Sequence, residues 1–162
     1  MGKNWGFTLI ELMVTIAVLA IIATMAAPAF NNMVLNQGLN KSTQTLVSTF
    51  NEARAKAVLE RRAIKVELKT DSSGTPSANT AALFHWQPES KSVLKSTSPT
   101  ALLFNLNGGV CIADNSTPPT CQRLIDSTTD IFEICDKAGG GKSKLVSISK
   151  MGTIQQTQTG TC

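Results

Sequence analysis

The chain has 162 residues and carries 15 Lys and Arg against 11 Asp and Glu, a formal charge of +4. That length supports one globular domain with one core, and so small a basic excess gives no argument for a nucleic-acid or membrane-surface partner. Hydrophobic residues make up 42% of the chain and are unevenly placed, because between positions 7 and 30 the only polar side chains are Thr8, Glu11, Thr15 and Thr24.

Residues 1–6 form a short polar, basic leader. A secretory signal would continue through about 7–15 apolar residues and end in a small-residue cleavage site, but no A-x-A site followed by a polar start comes after this apolar run. As a helix, 7–30 would reach roughly 36 Å, more than the hydrocarbon core of about 30 Å, so it is expected to persist as a single-pass anchor. Glu11 sits four residues inside that run. A carboxylate there costs a few kcal/mol on insertion scales and implies a partner or a role; the bland alternative is a glutamate that snorkels toward the headgroups. Pro28 removes a backbone hydrogen bond and crowds the preceding turn, which predicts a kink.

Past Phe30 the pattern becomes amphipathic. Leu35, Leu39, Leu46, Phe50, Ala53 and Ala57 fall on one helical stripe, with Asn36, Asn40, Lys41, Gln44, Asn51, Arg54 and Arg61 on the other side. This predicts one helix from about Phe7 to Glu60, weakened at Gly38, whose second part (31–62) lays its apolar face on a domain spanning 63–162. From Ala63 the period switches to two, Ile64, Val66 and Leu68 alternating with Lys65, Glu67 and Lys69. Further strands are expected over 82–87, 92–95, 101–107, 110–113, 130–135 and 144–150, separated by Ser-, Gly-, Pro- and Asn-rich loops. The fold class is therefore α+β: a long N-terminal α-helix packed on an antiparallel β-sheet.

Cys111, Cys121, Cys135 and Cys162 are even in number, contain no CxxC pair, and have His85 as the sole histidine to join them. Disulfides in an oxidising compartment are expected rather than a zinc site. Four cysteines permit three pairings. The expected one joins Cys111 to Cys121 around a short Pro-containing loop and Cys135 to Cys162, tethering a polar tail. Catalysis finds little to work with. His85 lies in a strand beside Phe84 and Trp86, where a structural histidine is expected, and Gly139-Gly-Gly-Lys-Ser143 has Asp136 where a phosphate-binding loop needs its first glycine. No enzyme activity, metal or cofactor is expected.

Gly6-Phe7-Thr8-Leu9-Ile10-Glu11-Leu12 resembles the class III signal of type IV pilins and type II secretion pseudopilins. The resemblance implies cleavage after Gly6 by a membrane aspartic prepilin peptidase, N-methylation of Phe7, and attraction between Glu11 and the terminal amine of a neighbouring subunit. Pro28 matches a proline common at this depth in the family. Phe50-Asn-Glu-Ala-Arg-Ala-Lys-Ala57 and Lys144-Leu-Val-Ser-Ile-Ser-Lys-Met-Gly152 are similar to segments of the GspH/FimT/FimU family of minor pilins and pseudopilins.

That likeness implies a minor pilin for type IV pilus initiation, placed in the tip complex and supporting adhesion, twitching motility or DNA uptake. Its partners would be other major and minor pilins, the prepilin peptidase and the inner-membrane assembly machinery. It would sit in the inner membrane with a periplasmic C-terminal domain before entering the pilus. The alternatives are a minor pseudopilin of a type II secretion system and a DNA-binding competence pilin. DNA binding is not favoured, since the arginines that such relatives carry after a C-terminal glycine are absent from Gly152-Thr-Ile-Gln155, and only Lys137, Lys142, Lys144 and Lys150 give the region a basic bias.

Overall fold

The computed structural model describes residues 6–75, 77–114, 116–155 and 157–162, without the side chains of Ala27 and Pro28. The kink expected from Pro28 thus falls on a side chain outside the described set. Among the described residues one helix, α1 (Leu9–Leu59), precedes nine strands: β1 (Ile64–Leu68), β2 (Leu83–Trp86), β3 (Val93–Leu94), β4 (Ala101–Phe104), β5 (Val110–Ala113), β6 (Cys121–Leu124), β7 (Ile131–Cys135), β8 (Ser143–Ser147) and β9 (Gln158–Gly160). The chain divides into two compact units, the first ending at Val34 and the second running from Leu35 to Cys162.

In the first unit the apolar side chains point outward on every face of the helix. Leu9, Ile10, Leu12, Met13, Ile16, Leu19, Ile21, Met25 and Phe30 are all more than half exposed. A helix that is apolar all round needs an apolar surrounding, and this one is long and apolar enough to cross a membrane.

The second unit buries its hydrophobic residues. The strands form two sheets rather than the single antiparallel one expected, in the orders β2-β1-β4-β5-β6 and β3-β7-β8-β9. All pairings are antiparallel except β1 with β2, which run parallel with Val66 opposite Phe84. The reason lies in the connection: 69–82 is long enough to cross over, whereas a tight hairpin would have forced the antiparallel arrangement. Leu39, Leu46, Phe50, Ala53 and Ala57 of α1 pack into the core with Ile64, Val66, Phe84, Leu102, Phe104, Phe132, Ile134 and Val146. Phe50 joins the two sheets, its ring 6.2 Å from Phe104 on β4 and 5.1 Å from Phe132 on β7 in an edge-on contact.

Polar contacts fix the same helix face. The Glu89 N–H donates to Ser42 Oγ (2.8 Å), Ser42 Oγ donates to the Gly38 carbonyl (2.8 Å), and Trp86 Nε1 donates to Thr45 Oγ1 (3.0 Å). Gly38, a weak point by propensity, is explained here: an added Cβ would lie 3.0 Å from the Ser90 Cβ, so its absence lets the β2–β3 loop close on the helix. α1 stops in a Schellman-type turn, with Arg61 left-handed at φ 50° and the Arg62 N–H donating to the Ala57 carbonyl (3.2 Å).

Candidate functional site

Gly6, Phe7 and Thr8 precede the first helical residue, Leu9. Thr8 caps the helix, its Oγ1 accepting from the Glu11 N–H at 3.3 Å and its carbonyl accepting from the Leu12 N–H at 3.2 Å. Thr8-x-x-Glu11 therefore has the spacing of a capping box, a signal visible in the sequence. The other hydroxyls of the run are closed locally: Thr15 Oγ1 donates to the Leu12 carbonyl and Thr24 Oγ1 to the Ile21 carbonyl, both at 2.8 Å. Among the described residues, the Glu11 carboxylate alone has neither a hydrogen-bond nor an ion-pair partner in this stretch. A first-turn acid is favoured by the helix dipole by only about 0.3–1 kcal/mol, less than the few kcal/mol a carboxylate costs at depth in a bilayer.

Gly6 is exposed, and among the described residues a Cβ there would meet nothing within 4 Å. Packing among the described residues gives no reason for glycine at that position. Phe7 is 73% exposed.

The two segments that carried the minor-pilin likeness come together in the second unit. Arg54, in the first, donates through Nε to the carbonyl of Gly108 (3.2 Å) in the β4–β5 turn. Gly152, closing the second, has φ 74°, and a Cβ there would fall 2.2 Å from the Gly108 oxygen and 3.0 Å from Arg54 Cδ. Arg54, Gly108 and Gly152 thus form one knot tying the helix end to the β4–β5 turn and the segment after β8. The sequence offered both segments but not their contact, because nothing local links positions 54 and 152.

The four cysteines form Cys111–Cys121, with Cα atoms 5.8 Å apart, and Cys135–Cys162, 6.0 Å apart. Glu133 lies near Cys135 and Cys162, but both sulfurs are bonded to each other and the Glu133 carboxylate holds Lys95 Nζ at 2.7 Å, so this cluster lacks free thiolates for a metal. His85 faces Glu67 across the β1–β2 pair, Nδ1 to Oε2 at 3.6 Å, and Glu67 also holds Lys65 at 2.9 Å. That is a cross-strand polar pair. Buried Asp130 receives both Arg123 Nη atoms (2.5 and 2.6 Å) and the Asp126 N–H (2.8 Å); the Arg123 hydrogen bonds hold its carboxyl below the usual carboxylate range. Asp114 accepts from the N–H and hydroxyl of both Ser116 and Thr120, which pins the β5–β6 loop and likewise lowers its carboxyl, chiefly through Thr120.

Comparison with known proteins places the N-terminus. Residues 3–27 match the family model described as the prokaryotic N-terminal methylation motif. Over 47 residues, 29% of this chain, the sequence is 45% identical to "Prepilin peptidase-dependent protein D" of Escherichia coli (strain K12); the match spans about a third of that relative's length (32%). No solved structure matches the chain. With the long N-terminal helix followed by β-sheets, these findings make the chain a pilin-like protein with a class III signal peptide and a pilin-like α+β architecture.

Proposed function

We propose that this chain is a minor pilin that takes part in type IV pilus initiation, in the tip complex, and that Glu11 is its docking group. The prepilin peptidase cleaves after Gly6 and Phe7 becomes the methylated terminus; residues 7–30 anchor the protein in the inner membrane and then pack in the filament, 31–62 continue the helix, and 63–162 form the periplasmic domain. The carrying observation is the isolation of the Glu11 carboxylate: in the stretch 7–30, whose hydroxyls are closed on the local backbone, it stands without a partner among the described residues. Cleavage at Gly6 creates the cation that fits it, and opposite charges about 4 Å apart gain several kcal/mol where water screens poorly. That no described residue lies within 4 Å of a Cβ at Gly6 supports a requirement imposed from outside, by a peptidase pocket with room for little at that residue. The role is structural, with other major and minor pilins and the inner-membrane assembly machinery as partners.

Intact mass and fractionation test this reading together. The mature protein is expected to begin at methylated Phe7 and to appear in sheared pili far below the abundance of the major subunit. Retention of residues 1–6 in a strain with active peptidase would remove the premise. A correctly processed protein absent from pili, whose deletion blocks secretion instead of piliation, would assign it to a type II secretion system.

A further inference from the structure

On the exposed side of α1 in the second unit, Asn36, Asn40, Gln44 and Ser48 follow one another at four-residue intervals, forming one ridge along the helix. Facing them are Lys142 and Lys144, which share a face of the β8 segment, and Thr157 and Thr159, with Lys144 opposite Thr159 in the β8–β9 register. Two hollows lie between these walls and meet at Asn40 and Lys144. Lys142 Nζ bridges one end by donating to Asn36 Oδ1 (3.2 Å). Among the described residues, no carboxylate and no aromatic ring lines either hollow and neither lysine is in an ion pair.

We propose that this groove binds an extended, acidic peptide segment of another protein chain. Successive ridge residues are about 6 Å apart along the helix axis, close to the two-residue repeat of roughly 6.6–6.8 Å in an extended chain. Asn40 and Gln44 each offer both a donor and an acceptor, which matches a peptide unit, whereas a phosphate offers acceptors only and would leave their amide oxygens unmatched. The missing aromatic rings remove the stacking surface on which single-stranded bases rest. The two lysines, without an acid to neutralise them, select carboxylate side chains on the incoming strand. This site lies within the second unit and does not include Glu11, so it stands or falls independently of the docking role proposed for that residue.

The test uses the full chain purified in detergent micelles at near-physiological salt. The probe is a fluorescein-labelled peptide of about ten residues, long enough to span the ridge when extended, alternating Asp and Ser; its Lys-Ser counterpart and an oligo-dT of similar length serve as comparisons. Fluorescence anisotropy is expected to show saturable binding of the acidic peptide alone. Lys142→Glu with Lys144→Glu, and separately Asn40→Ala with Gln44→Ala, are expected to weaken it at least about tenfold, a change of 1.4 kcal/mol. Lys91→Glu, on a loop that lines neither hollow, leaves it unchanged. Absence of saturable binding, indifference to the amide pair, or oligo-dT binding as tight as the peptide would each overturn the proposal, the last pointing to a general polyanion surface.

Discussion

The two units of this chain share local closure of their helix hydroxyls but differ in what is added to it. In the N-terminal unit the hydroxyls of Thr8, Thr15 and Thr24 bond within one helical turn, and the apolar side chains face outward. In the second unit the helix hydroxyls also bond within one turn, as Ser42 does to Gly38 and Thr43 to Leu39, but Ser42 and Thr45 in addition accept from distant partners, Glu89 and Trp86, and the apolar side chains face one core. Local closure suits a segment that must be complete before it meets its surroundings, since lipid supplies no hydrogen bonds. Distant closure specifies a single tertiary arrangement. Glu11 breaks the first pattern, which is why it carries the functional reading.

The sharpest way to separate the units is to damage one core. Phe50→Ala removes the ring that touches both Phe104 and Phe132 and should cost about 3–5 kcal/mol of domain stability. Leu19→Ala, on the outward face of the first unit, should leave that stability unchanged within about 0.5 kcal/mol. Urea unfolding of the full chain in micelles, followed by Trp86 fluorescence, checks both; equal losses would erase the distinction.

Next in size is Gly152→Ala, which forces a Cβ into the Gly108 carbonyl at a left-handed backbone position. A loss of about 1–3 kcal/mol is expected, and an unchanged unfolding midpoint would show that the knot with Arg54 relaxes freely.

A smaller effect, about 1–2 kcal/mol at neutral pH, is expected for Asp130→Asn, discounted because Arg123 is half exposed. Arg123 depresses the Asp130 pKa in the folded state. Its contribution is therefore complete above the unfolded carboxylate value of about 3.9 and fades as pH falls through the lower folded value. Wild-type protein should lose this increment on acidification from pH 5, and the variant should show a flatter acid limb. Identical acid limbs would contradict the assignment.

The residues themselves explain what was legible. The class III motif, the helix stripe and most strands announced themselves because burial imposes a period, and β1 is the clearest case, with Ile64, Val66 and Leu68 all inward. β6 and β9 gave no such signal. Cys121–Leu124 is exposed at every position and Gln158–Gly160 is polar, so both exist through pairing with β5 and β8 beside the disulfides rather than through a buried face. The parallel β1–β2 pair, the Arg54–Gly108–Gly152 knot and the lysine-and-amide groove are likewise products of tertiary placement, with no local pattern to mark them. At the N-terminus the motif residues were legible, and so was the Thr8-x-x-Glu11 capping spacing, which the helix start at Leu9 turns into an actual cap.

The most direct measurement compares wild type with Glu11→Ala, quantifying each in the inner-membrane fraction and in sheared pili. The substitution makes the helix more apolar while leaving the Thr8 cap in place, so membrane levels should match wild type and the filament fraction should fall at least about tenfold, equivalent to 1.4 kcal/mol of docking. Equal amounts of both proteins in the pili would contradict the docking role of Glu11.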